Sequence, residues 1–195
     1  MPKLRRQWRP VFHSPFGQGH PMHAPYREGQ FFLLPLGRAT GQYAVGLVAR
    51  VPPRGGILLG YFFGPRRRSV PGQEWLNGLR ATHAVLACRF KDAHLYRGEW
   101  KLLSVREPFD RAEWPVPAFH RFDGSATTVP GVEAIQDWRV EYSDTNLIVP
   151  VAERPASAED LKLGDDIAFD ATLLEDEVGK RVGDAIPTAD DTNWH

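Results

Sequence analysis

Apolar residues gather along this chain in short blocks bounded by proline and glycine, and seldom at sustained helical spacing. Such blocks between turn residues predict strands. Residues 31–36 (FFLLPL) and 43–50 (YAVGLVAR) flank a Gly-Arg-Ala-Thr-Gly turn at 37–41, the arrangement of a β-hairpin. Pro35 lacks an N–H, so the first strand should bulge or lie at an edge there. Gly46 inside the second strand signals a bulge or a close backbone approach. After the turn at 52–56, residues 57–63 (ILLGYFF) are apolar on both faces and predict a central strand. Trp75, Leu76 and Leu79 fit a short helix beginning near Pro71 or Gly72. Residues 84–90 and 100–105 supply a fourth and a fifth strand, and residues 138–142 (WRVEY) one more.

Between these blocks lie three stretches of different character. Residues 1–25 are broken by five prolines and two glycines, which predicts an irregular arm. Residues 108–130 read as a long loop, with Phe109, Trp114, Phe119 and Phe122 pinning it to the core. Beyond residue 150 the chain turns acidic. Ser157-Ala158-Glu159-Asp160 opens a short helix ending at Gly164, and Asp170 caps a second one over residues 171–182, with Leu173, Leu174 and Val178 as its apolar stripe. Residues 184–195 carry little hydrophobic weight and should fray. No internal repeat is present. The expected architecture is α+β and β-dominated: a strongly bent antiparallel sheet or small barrel, a short crossing helix and a C-terminal helical appendage. The expected divisions are an arm at 1–25, a β-rich core domain at 26–150 and an acidic, partly helical appendage at 151–195.

Composition changes that picture little, but charge changes it more. A hydrophobic fraction of 42% over 195 residues is enough for a sizeable core. The basic first residues are followed by no apolar segment of the kind a signal peptide carries, and no apolar run is long enough to span a membrane. The single cysteine, Cys88, rules out an intramolecular disulfide framework and fits a cytoplasmic location. Net charge is zero, yet residues 1–121 hold 19 Lys and Arg against 7 Asp and Glu, a net of +12. Residues 122–195 hold 5 against 17, a net of −12. Either the acidic third packs on the basic body, or one pole is a binding surface that steers an oppositely charged partner.

Catalytic and metal-binding patterns are scarce. His20 and His23 have Pro21 between them and no ligating neighbour, so no metal is expected. Cys88 lies within an apolar block, where a cysteine is ordinarily a small core residue, although His83 or His94 could in principle serve it as a base. There is no G-x-S-x-G, and Gly17-Gln18-Gly19 is not a dinucleotide loop, so neither a catalytic residue nor a cofactor is expected. Arg66, Arg67 and Arg68 follow the aromatic run Tyr61-Phe62-Phe63, and basic charge beside exposable rings is how sheets stack nucleic-acid bases. A nucleic-acid-binding module using those three arginines is therefore the alternative function.

One resemblance goes further. Arg27-Glu28-Gly29-Gln30-Phe31-Phe32-Leu33-Leu34-Pro35-Leu36, then Tyr43-Ala44-Val45-Gly46-Leu47-Val48, then Gly60-Tyr61-Phe62-Phe63-Gly64, resembles the immunity protein 26 family of bacterial polymorphic toxin systems. The later block at 85–90 and Gly98-Glu99-Trp100 fit the same pattern, so the likeness spans residues 26–119. It implies a cytoplasmic protein that binds and neutralises a cognate toxin, and it carries no catalytic residue over. If the toxin is a nuclease with a basic groove, the acidic tail is the natural mimic of a phosphate backbone. Asp165, Asp166, Glu175, Asp176 and Glu177 are then the candidate contacts.

Overall fold

The computed structural model describes residues 24–37, 41–53, 56–122 and 137–182, and the predicted hairpin lies at its centre. Strand β1 (Gln30–Pro35) pairs antiparallel with β2 (Tyr43–Arg50), which pairs with β3 (Ile57–Arg67), which pairs with β4 (Leu86–Lys91). Strand β5 (Leu102–Val105) adds on the far side of β1. The predicted arm up to residue 23, with His20 and His23, lies outside the described residues, as do residues 123–136 and the tail from 183.

Why the blocks are apolar throughout follows from what covers the sheet. Along β1, Phe32 and Leu34 join one buried cluster, while Phe31 and Leu33 join another on the opposite face. Each strand is therefore buried on both sides, and period-two alternation disappears from its sequence. Pro35 ends β1 past the last β5 partner. Leu33 N–H donates to the Lys101 carbonyl at 2.9 Å, and two residues on, the N–H that proline lacks would face an edge with no strand on it. The bulge in β1 falls earlier, between Gln30 and Phe32.

The first cluster is built on stacked rings. Phe32 lies parallel to Trp100 with centroids 5.6 Å apart and packs edge-on to Phe62 at 5.9 Å. Gly46 sits directly opposite Phe32, and a Cβ there would stand 2.2 Å from the ring. The expected close approach is thus by an aromatic side chain, not by backbone. The one-turn helix α2 (Ala93–Tyr96) adds Leu95 to this face, and helix α3 (Ala171–Arg181) closes it with Ala171, Leu174 and Val178. The stripe is rotated from the predicted one, because Leu173 is 53% exposed and Ala171 takes its place. Asp170 caps α3 as predicted, accepting from Leu173 N–H at 3.0 Å.

The other face carries helix α1 (Gln73–Gly78), the loop ring Trp114, and a second sheet that the sequence only partly announces. Strands β6 (Phe119–Phe122), β7 (Asp137–Glu141), β8 (Ala152–Pro155) and β9 (Gly164–Asp165) lie in the order β8-β7-β6-β9. Strand β10 (Ala168–Phe169) then joins the first sheet beside β4. Both β9 and β10 pair parallel to their neighbours, so the sheets are mixed, and neither closes into a barrel. Residues 152–182 thereby thread through both sheets. Within the predicted loop, Trp114 and Phe119 are buried anchors, while Phe122 is 62% exposed and anchors nothing.

The predicted short helix at 157–164 is a single 3₁₀ turn over Asp160–Lys162. Asp160 itself is a buried hub. Its carboxylate accepts from the Ser157 hydroxyl at 2.7 Å, Ser157 N–H at 2.9 Å, Arg139 at 3.0 Å and Arg154 at 2.8 Å. The Ser157 hydroxyl, its N–H and the two guanidinium groups hold the Asp160 carboxyl well below the usual carboxylate range. A depressed folded-state pKa contributes stability that is fully present above the unfolded pKa and is lost as pH falls through the folded one. Asp160→Asn should therefore melt below wild type at pH 7, and the gap should close on acidification below about pH 4. Melting temperatures of both proteins across that range test this.

Candidate functional site

Part of the charge asymmetry is met by ion pairs inside the molecule. Arg50 on β2 meets Asp144 at 2.5 Å, Arg89 on β4 meets Asp166 at 2.5 Å, and Arg121 on β6 meets Glu153 at 2.8 Å. Each pair joins the basic body to the acidic third. Asp166 is the deepest, with its side chain 3% exposed against 7% for Arg89. It also accepts from the Tyr142 hydroxyl at 2.8 Å, and Arg89 donates on its other side to the Leu147 carbonyl at 2.8 Å. Burial, then the bond to Asp166, pushes the Tyr142 hydroxyl up to about 12. Asp166 thus fastens the β9–β10 link to β4, while its neighbour Asp165 is exposed.

Glu175, Asp176 and Glu177 follow one another on α3 and point differently. Glu175 accepts the Trp100 indole N–H at 3.1 Å. Asp176 pairs with Lys180 at 2.6 Å and Glu177 with Arg181 at 2.8 Å, both one turn apart on the same helix. Exposed pairs of this kind add little stability and leave their charges accessible to a partner.

Beside α3 runs a cleft. One hollow of about 680 Å³ is walled by Glu175, Asp176 and Lys180 of α3, by Arg66, and by His94 and Glu99. A second of about 590 Å³ is lined by Arg68, Val70, Gln42, Tyr43 and Lys101. Pro35, Gly37 and Glu99 line both, so the two hollows adjoin across the end of β1. Two residue sets that the sequence presents as rivals are brought together here: Glu175 and Asp176 stand with Arg66, and Arg68 lies in the adjoining hollow. Asp165 and Asp166 lie elsewhere, on and next to β9.

Arg66 and Arg67 lie within β3, and Arg68 follows its end as an exposed residue. Arg66 donates to the Gly179 carbonyl at 2.7 Å, and Arg67 lies 3.9 Å over the Trp75 ring. Tyr61, Phe62 and Phe63 are buried in the two clusters, so they offer no stacking platform for bases. Cys88 is core, as expected, and burial pushes its thiol up and keeps it protonated. His94 Nε2 stands 3.0 Å from Glu99 Oε2 and its ring lies against Trp100. The sequence singles out neither Glu99 nor Lys101 as a site residue, and offers His94 only as a possible base for Cys88. For the first two the only signal is the Gly98-Glu99-Trp100 segment, which reads as the approach to a strand.

Among the described residues no group of three or more His, Cys, Asp or Glu side chains could hold a metal ion, and no helix is long and apolar enough to cross a membrane. A protein-family model described as immunity protein 26 matches residues 27–129, more than half of the chain. No curated protein and no solved structure matches.

Proposed function

The chain belongs to the immunity protein 26 family, and from that membership we propose that it protects by binding a cognate toxin domain and covering its active surface, with no chemistry of its own. The observation that supports this is the preformed cleft beside α3, where charged side chains are held in place by the fold and remain open to a partner. Fixed polar groups around a concavity give orientation and specificity to a bound chain. Asp165, Glu175, Asp176 and Glu177 are the contact carboxylates in this reading, and Asp166 supports them from within by holding the β9–β10 link.

A nuclease toxin suits such a surface. Its substrate groove is basic, and the exposed carboxylates of α3 take the place of phosphates there. The cytoplasm is the compartment in which such an inhibitor acts. Recovery of the tagged full chain from its host, with partners identified by mass spectrometry, tests the reading. The expected result is one stoichiometric toxin domain retained through moderate salt. Recovery of nucleic acid in its place, weakening steeply with salt, would overturn it in favour of the arginine-based alternative.

A further inference from the structure

Ion pairs meet only part of the molecule's charge, and a few charges outside them lie together in the cleft. Glu175 has the Trp100 indole as its partner and, among the described residues, no cation within ion-pair distance. At the other end, Arg68 and Lys101 line the second hollow, and among the described residues neither forms an ion pair. The intervening wall is Pro35, Gly37 and Glu99, and Glu99 is already engaged by His94 and Arg97. The first hollow also carries Arg66, which donates to the Gly179 carbonyl, and the Asp176–Lys180 pair, so Glu175 is the carboxylate it offers to a cation, while the second hollow offers two cations.

Fixed charges of opposite sign at two ends of a groove select a ligand that carries the opposite pair at a matching spacing. A single small ion satisfies one end only. We infer that this cleft takes an extended segment of the toxin domain, with a lysine or arginine side chain against Glu175 and an aspartate or glutamate side chain against Arg68 and Lys101. The assignment rests on the toxin-binding reading above and names where and how that partner is held. The indole bond fixes the Glu175 carboxylate in the wall, so little side-chain freedom is lost on binding. A five-residue segment in extended form spans up to roughly 17 Å, and the hollows it has to bridge share Pro35, Gly37 and Glu99.

The Trp100 indole N–H is a built-in reporter, because its hydrogen-bond acceptor is the cleft carboxylate itself. The full chain, labelled with ¹⁵N, is titrated with three acetylated and amidated pentapeptides: Arg-Gly-Ser-Gly-Glu, Arg-Gly-Ser-Gly-Gln and Gln-Gly-Ser-Gly-Gln. The Trp100 indole signal is expected to move with the first, to need about fivefold more of the second, and to stay still with the third. Glu175→Gln keeps an acceptor for the indole but removes the charge, and should weaken the first peptide about fivefold. Lys101→Gln should weaken the first peptide but not the second. Equal responses to all three peptides, or responses unchanged in both variants, would overturn the inference. Inhibition of the captured toxin is scored on the same variants. Undiminished inhibition by Glu175→Gln combined with Lys101→Gln would sink the cleft while leaving the immunity role intact, whereas failure of the wild-type chain to inhibit would sink that role itself.

Discussion

Asp166→Ala is expected to destabilise the protein by about 3–5 kcal/mol, a fall in melting temperature of roughly 6–20 °C for a chain of this size. The reason is the partner left behind. Arg89 is buried and always charged, and without Asp166 its remaining acceptor is the Leu147 carbonyl. Arg121, 3.8 Å from the other Asp166 oxygen, loses a second neighbour, and the Tyr142 hydroxyl loses its acceptor. Removing both charges is predicted to cost far less. Arg89→Met with Asp166→Leu replaces an ion pair by apolar volume, and such exchanges are often neutral. Denaturant unfolding of the two single variants and the double variant checks this. A double variant as unstable as Asp166→Ala would mean that the ion pair itself, and not the orphaned charge, sets the cost.

Phe32→Ala should cost about 3–5 kcal/mol, because the ring fills the space between Trp100, Phe62 and Phe90 and the sheet can collapse only partly around its loss. Its partner in the opposite strand makes the test sharper. Gly46→Ala puts a methyl group where the Phe32 ring already lies, which overpacks the site by about 1–3 kcal/mol. The two changes should therefore not add. In the double variant the new methyl group meets no ring, so the combined loss should fall short of the sum by about 0.5–3 kcal/mol. Additive losses would show that Gly46 is needed for its backbone and not for the ring above it. A second glycine repeats the device, since a Cβ at Gly60 would stand 2.7 Å from the Phe90 ring.

These two sites show what was legible in the chain. The apolar blocks of β1 to β4 announce themselves because both faces are buried, and Gly46 stands out because a glycine inside such a block needs a reason. Strands β6 and β8 do not, since FHRF and AERP each carry two adjacent polar or charged residues at their centre and lie in sequence among prolines and glycines. Strands β9 and β10 are two residues each, and they exist only because the chain passes parallel to a sheet edge that tertiary structure provides. The long-range pairings of the acidic third are equally invisible. Asp165 and Asp166 look alike in sequence, yet one is exposed and the other lies against Arg89. The cleft draws on β1, β3, α3 and the approach to β5, segments far apart in the chain, and no local spacing could have joined Glu175 to Trp100 or Lys101 to Arg68. The immunity-family pattern was legible because it follows the order of the central strands, which the fold preserves.

In the proposed function this immunity protein neutralises by occupying a toxin and not by acting on it. Titrating a fixed amount of the captured toxin domain with the full chain, and following the toxin's own activity, tests that most directly. The expected result is a linear loss of activity that breaks at one equivalent and is restored when the complex is dissociated. Full inactivation by a small fraction of an equivalent, persisting after the chain is removed, would contradict it and make the protein an enzyme.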